Sequence, residues 1–89
     1  MIVEFSNKTG FSVEDILGGS RKMELVAARQ LYWKLLRKNG FSLLEIANIT
    51  GFGHANVTHG IRVASERLEI KDAVTCSIWE KVKDIDFEI

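Results

Sequence analysis

Apolar residues recur every three or four positions along much of the chain, which is the spacing of one face of an α-helix. The clearest example lies between residues 23 and 39, where Leu25, Ala28 and Tyr32 follow this spacing. Further helices are predicted around residues 2–5, 43–50, 54–68 and 73–82. No stretch alternates apolar and polar residues as a half-buried strand does, and the chain contains no proline. We therefore predict an all-α bundle of five or six helices.

A motif that occurs three times predicts where helices end and begin. Each copy reads glycine, phenylalanine, a capping residue, two variable positions, a polar residue and an aliphatic residue. The copies are Gly10–Ile16, Gly40–Ile46 and Gly51–Val57. Glycine suits the left-handed position after a helix, the capping residue starts the next helix, and the phenylalanine and the aliphatic residue form a hydrophobic staple. The third copy has the weakest cap, because Gly53 has no side-chain acceptor and Asn56 replaces the acid.

Length and charge limit the protein to a few classes. The 89 residues suffice for one small core, so we predict a single helical domain over residues 1–89. No apolar run is long enough to span a membrane, which favours a cytoplasmic protein without a membrane partner. The formal net charge is zero, yet residues 21–62 hold seven basic side chains against two acidic ones. Because salt screens charge over roughly 8–10 Å, a polyanion would meet this basic segment, whereas residues 84–89 are expected to form an acidic tail.

Residues 42–68 have the dimensions of a helix-turn-helix, with two predicted helices separated by residues 51–53. In this motif the first turns of the second helix read base edges in the major groove. Asparagine can bond adenine, arginine can reach guanine or phosphate, and threonine and alanine can contact the thymine methyl. The exposed positions predicted for the second helix are His54, Ala55, Asn56, Thr58, His59 and Arg62. Two helices with this spacing also fit ordinary hairpin packing in a bundle, so architecture alone leaves both interpretations open.

Four strings of residues follow one another in a familiar order: Phe11–Leu17, Ser20–Gln30, Ser42–Ile46 and His54–His59. Over roughly residues 3–82 the chain resembles the C-terminal DNA-binding domain of the bacterial replication initiator DnaA. The resemblance implies a Trp-repressor-like helical fold in which a basic loop contacts phosphate and the minor groove. It also implies double-stranded DNA as the partner; a replication protein is a further candidate partner, which belongs to the alternative of a protein-interaction module. The residues it adds to the DNA-binding set are Arg21 and Lys22 in the loop, Arg29 as a backbone contact, and Ser42.

The chain departs from this family at the signature of the recognition helix. The family usually has Gly-Gly-Arg/Lys-Asp-His-Thr-Thr-Val, and the corresponding segment here, Gly51–Val57, is one residue shorter. Ala55 and Asn56 stand where the family has threonines. Since each bidentate base contact is worth about 1–3 kcal/mol of discrimination, we expect the recognised sequence to differ.

No motif predicts an enzyme. The Gly-x-x-x-x-Gly-Lys-Ser/Thr phosphate loop of ATPases does not occur, so we expect no catalytic residue, cofactor or small-molecule substrate. His54 and His59 are five residues apart and do not converge on a metal ion as residues four apart do. Cys76 has the spacing of a packed thiol, and Trp33 and Trp79 are expected in the core or at its edge.

Two functional interpretations follow. The first is sequence-specific binding of duplex DNA, linked to replication initiation and without ATPase activity, in a stand-alone protein of phage or mobile-element type or in an excised domain. The second is a protein-interaction module or transcriptional regulator on a helix-turn-helix scaffold. The near-zero net charge, Phe52 in the turn and an exposed Val63 favour the second interpretation.

Overall fold

The computed structural model describes residues 1–86 and places six α-helices in them. They are α1 (Ile2–Thr9), α2 (Val13–Leu17), α3 (Met23–Lys38), α4 (Leu43–Thr50), α5 (His54–Glu69) and α6 (Ala73–Val82). This part of the chain contains no strand, so the predicted all-α class is confirmed. None of the six helices has both the length and the apolar character needed to cross a membrane.

The three glycine-phenylalanine motifs lie at the predicted helix junctions. Gly10, Gly40 and Gly51 have φ angles of 82°, 95° and 77°, in the left-handed region that glycine favours. Ser12 Oγ then accepts a hydrogen bond from Asp15 N at 3.0 Å and caps α2. The capping signals of the sequence are therefore used where they were expected.

The aliphatic residues of the motifs enter the core. Ile16, Ile46 and Val57 are each 0% exposed. The phenylalanines of the same motifs are partly buried and pack against this core, as a hydrophobic staple requires. Each junction therefore fixes both the start of a helix and the direction in which that helix leaves.

Helix α3 is the centre of the bundle and packs against α2, α4, α5 and α6. Its Leu31 and Leu35 are fully buried, and Tyr32 contacts Phe5 of α1 edge to face, with ring centroids 5.3 Å apart. Trp33 is 4% exposed, which confirms its predicted place in the core, and Trp79 packs at the core's edge. Residues before and after α3 are thus organised around one helix.

The segment after α6 differs from the predicted acidic tail. Ile85 is 1% exposed and belongs to the core, although Asp84 and Asp86 beside it are exposed. Lys38 Nζ donates to the carbonyl oxygen of Lys83 at 2.7 Å, which ties the segment to the end of α3. The sequence did not predict the burial of Ile85, because a single aliphatic residue among acidic ones forms no periodic pattern. Residues 87–89 of the predicted tail lie outside the described part of the chain.

Candidate nucleic-acid interface

Helices α4 and α5, joined by residues 51–53, form the predicted helix-turn-helix. Helix α5 buries Val57, Gly60 and Ala64, which recur at the three- or four-residue spacing of one helical face. This face packs against α3 and α4. The opposite face of α5 is consequently open to solvent.

The predicted base-reading residues of α5 lie on that open face. His54, Ala55, Asn56, Thr58, His59 and Arg62 are all exposed. All of them except Asn56 line an open groove of about 320 Å³. The first acidic residue of α5 is Glu66, four residues beyond Arg62. The first three turns of the helix therefore present polar or small side chains and no carboxylate to a ligand.

Few intramolecular contacts restrain the side chains of this groove. Thr58 Oγ1 donates to the carbonyl oxygen of His54 at 3.0 Å, and Arg62 Nη2 lies 3.3 Å from His59 Nδ1. Arg62 Nε is 4.0 Å from Glu66 Oε1, and both side chains are about two-thirds exposed. An exposed ion pair of this kind contributes little, so the guanidinium remains available to a phosphate or a base.

The segment before α3, residues 18–22, is the basic loop. Arg21 and Lys22 in it are exposed, and neither takes part in a salt bridge within residues 1–86. Lys22 has extended backbone geometry at the start of α3, and its N donates to Ser20 Oγ at 3.2 Å. The loop thus presents two unneutralised cations.

Arg29 does not lie on the surface with these cations. Its side chain is 6% exposed, Nε donates to the carbonyl oxygen of Ile16 at 2.8 Å, and Nη2 donates to that of Ser20 at 3.0 Å. The guanidinium carbon also lies 5.2 Å from the centre of the Phe52 ring. Burial lowers the pKa of Arg29, yet an arginine stays protonated at neutral pH. Protein therefore encloses the guanidinium, and this position does not favour the expected contact of Arg29 with the DNA backbone.

Ser42 is part of the helix-turn-helix through its capping role. Ser42 Oγ accepts a hydrogen bond from Glu45 N at 3.1 Å, and Glu45 Oε1 accepts one from Ser42 N at 2.9 Å. These two bonds form the predicted capping box at the start of α4. The serine thus fixes the first helix of the motif.

Two side chains that favoured a protein-docking surface are less exposed than expected. Phe52 is half-buried and meets Trp33 edge to face, with ring centroids 5.3 Å apart. Val63, expected to be exposed, is also half-buried. The contact of Phe52 and the partial burial of Val63 weaken two of the three sequence arguments for the protein-interaction module.

A group of cations that the predicted site omitted lies beside α5. Lys34, Arg37 and Lys38 of α3 line a groove of about 270 Å³ together with Ile61 and Trp79. Lys34 Nζ donates to Ser65 Oγ at 2.9 Å and lies 5.8 Å from the centre of the Trp79 ring. The sequence could have indicated this group, because Arg37 and Lys38 follow Lys34 by three and four residues and such residues share one face of a helix.

The described residues hold no cluster of metal-ligating side chains. Within them, no three histidine, cysteine, aspartate or glutamate residues lie close enough to hold a metal ion. Cys76 is a free, half-buried thiol.

A turn joins two helices, and the second helix is open and has no carboxylate in its first turns. A basic loop is connected to that turn through Arg29. These features define a helix-turn-helix DNA-binding domain. The chain belongs to the DnaA family of such domains. Residues 2–63 match the family described as "Bacterial dnaA protein helix-turn-helix", which confirms the resemblance seen in the sequence.

One relative is the chromosomal replication initiator protein DnaA of Kosmotoga olearia. It is 44% identical over 54 residues, which make up 60% of this chain and 12% of that protein. The chain thus spans a small part of the relative's length. No solved structure matches the chain.

Proposed function

We propose that this protein binds double-stranded DNA sequence-specifically, with α5 in the major groove and the basic loop on the phosphate backbone and in the minor groove. The observation that carries the proposal is the open face of α5, whose residues from His54 to Arg62 are free of carboxylates and follow a turn in contact with Arg29. In helix-turn-helix proteins this is the part of the second helix that reads base edges.

The two parts of the surface have different proposed roles. Arg21 and Lys22 neutralise phosphates, which gives affinity without sequence preference. His54, Asn56 and Arg62 contact base edges or position α5, which gives preference among sequences. With Arg29 enclosed, Arg21 and Lys22 are the phosphate contacts of the proposed site, and Arg62 adds a third where its guanidinium bonds a phosphate, so log affinity should fall with log salt at a slope of about −2 to −3.

We further propose that this binding serves the initiation of replication or its control in the bacterial cytoplasm. The name of the relative, a chromosomal replication initiator, supports this setting. The match concerns a helix-turn-helix segment, and the sequence contains no ATPase phosphate loop. The proposed contribution of the chain is therefore DNA recognition without ATP hydrolysis.

A DNA titration with matched charge variants tests the proposal. The variant Arg21→Ala/Lys22→Ala removes two positive charges from the basic loop, and Lys71→Ala/Lys81→Ala removes two from exposed positions outside it. We expect the loop variant to bind a random duplex more weakly and to reduce the steepness of the salt slope by about 2, while the control keeps the wild-type slope. Fluorescence anisotropy at several salt concentrations measures both quantities.

The same protein, used to select from a pool of random duplexes, tests sequence preference. We expect the wild type to enrich one motif. Wild-type protein that does not retain duplex DNA at low salt, or equal losses in the loop variant and the control, would contradict the proposed surface. Retention without an enriched motif would contradict the base-reading role of α5 and leave only backbone binding.

A further inference from the structure

Arg29 contacts both segments that the proposed function brings to DNA. Its Nη2 bonds the carbonyl oxygen of Ser20, the residue before Arg21 in the basic loop. The same guanidinium lies over the ring of Phe52, two residues before His54 begins α5. One buried side chain thus lies between the loop and the turn of the helix-turn-helix.

Arg29 is well suited to hold these two segments at a fixed separation. A second hydrogen bond, from Nε to the carbonyl oxygen of Ile16, fixes the guanidinium plane. The Phe52 ring is itself held edge to face by Trp33 of α3. A cation–π contact is stronger when desolvated, and Arg29 is only 6% exposed. Neither partner can therefore move far without losing several contacts at once.

The basic loop depends on this anchor. The hydrogen bond from Lys22 N to Ser20 Oγ lies inside the loop and does not tie it to another helix. Lys22 is held at the start of α3, because its carbonyl oxygen accepts from Leu25 N and Val26 N, whereas the hydrogen bond that ties Ser20 to another helix comes from Arg29 Nη2. If the guanidinium shifts, Ser20 loses this restraint, and with it the loop backbone that leads into Arg21 and Lys22.

We propose that Arg29 and Phe52 are positioning residues that set the distance between the basic loop and α5, so that both reach one duplex. The inference rests on the proposed DNA binding for its functional consequence, whereas the contact itself can be tested without DNA. It gives Phe52 a role in DNA binding, although this side chain neither neutralises a phosphate nor reads a base.

The test compares variants of Phe52 with a matched control. Phe52→Leu removes the aromatic face and keeps apolar bulk, whereas Phe52→Tyr keeps the face. Phe11→Leu makes the same change at the first glycine-phenylalanine motif, where the ring borders α6 rather than Arg29. Arg29→Lys, which keeps the charge and loses the planar donors, gives a second route if Phe52→Leu does not fold.

Amide hydrogen exchange of the free protein is the first measurement. We expect the amides of Leu25 and Val26, which donate to the carbonyl oxygen of Lys22, to exchange about two- to thirtyfold faster in Phe52→Leu and Arg29→Lys, the range of a lost cation–π contact. Phe52→Tyr and Phe11→Leu should keep the wild-type rate. Unchanged exchange in both Phe52→Leu and Arg29→Lys would overturn the positioning contact, whether or not the protein binds DNA.

Footprinting on a selected duplex is the second measurement. Phe52→Leu should lose the minor-groove protection given by the loop and reduce the salt slope by about 2, while the major-groove protection given by α5 remains. Full protection and an unchanged slope in Phe52→Leu would overturn the inference and leave the proposed function intact. Absence of any wild-type footprint would instead contradict the proposed function.

Discussion

At the scale of single residues, Glu45 connects the protonation state of the protein to the helix-turn-helix. The backbone hydrogen bond from Ser42, and then the side-chain bond with Ser42, lower the pKa of the Glu45 carboxyl. A carboxyl with a lower pKa in the folded state adds stability above its unfolded pKa of about 4.3. That stability is lost as pH falls from this value through the folded pKa.

We expect Glu45→Ala to lower the unfolding temperature at about pH 7 and to have a progressively smaller effect from about pH 4.3 down to about pH 3, because the stabilisation is lost as the pH falls through the lowered folded pKa. Circular dichroism melts of both proteins over this range measure the difference. Glu69→Ala, which removes an exposed carboxylate at the end of α5, is the control for net charge. A difference between wild type and Glu45→Ala that stays constant down to pH 3 would show that the capping box does not depend on ionisation.

Arg29 shows which residue roles the sequence could not predict. Its hydrogen-bond acceptors lie 13 and 9 residues earlier in the chain, and its aromatic partner lies in a turn beyond α4. Helical periodicity reports neighbours three or four residues apart and carries no information about such contacts. The exposed residues of α5 were predictable, because the apolar Val57 and Ala64 mark the opposite, buried face by spacing alone.

At the scale of elements, Gly60 determines how closely α5 approaches α3. A Cβ atom at this position would overlap the ring of Trp33 and would lie 3.1 Å from Gln30 Cγ. The Trp33 ring has little freedom to retreat, since it is 4% exposed and contacts Phe52. The glycine, which is unfavourable for helix propensity, therefore permits the contact that orients α5.

We expect Gly60→Ala to destabilise the protein by about 1 kcal/mol. Overpacking against Trp33 costs about 1–3 kcal/mol, and the gain of alanine in helix propensity offsets up to about 1 kcal/mol of it. Urea denaturation measures the change. In a Trp33→Leu background, where the indole is absent, the same substitution should stabilise the protein. If Gly60→Ala is more stable than its parent protein in both backgrounds, α5 and α3 can move apart without loss of stability, which would contradict the role of Gly60.

The helices themselves were largely predictable because their signals are local. The capping residues, the left-handed glycines and the staple all act within seven residues, so each copy of the motif gives a junction from sequence alone. The packing of α5 on α3 through Gly60 and Trp33 was not predictable, since a glycine inside a helix has no apolar side chain to mark a contact face.

At the scale of the whole molecule, the end of the described chain combines a core anchor with exposed acids. The 89-residue protein has a small core, so each buried aliphatic residue carries a large share of its stability. Ile85 is one of the largest fully buried side chains, and Asp84 and Asp86 on either side are exposed. Removal of the residues after Lys83 would therefore change packing and charge together, and its effect on DNA binding could not be assigned to either.

Two variants separate these effects. Ile85→Ala should lower the free energy of unfolding by about 2–4 kcal/mol, the cost of emptying a core site, and should leave the DNA affinity of the folded fraction unchanged. Asp84→Asn/Asp86→Asn should change stability by less than about 0.5 kcal/mol, because both side chains are exposed. Denaturant titrations and DNA titrations at low salt measure both properties. Affinity that rises several-fold in the double variant would indicate that the acidic end opposes DNA binding, whereas Ile85→Ala with wild-type stability would contradict the anchoring role of this segment.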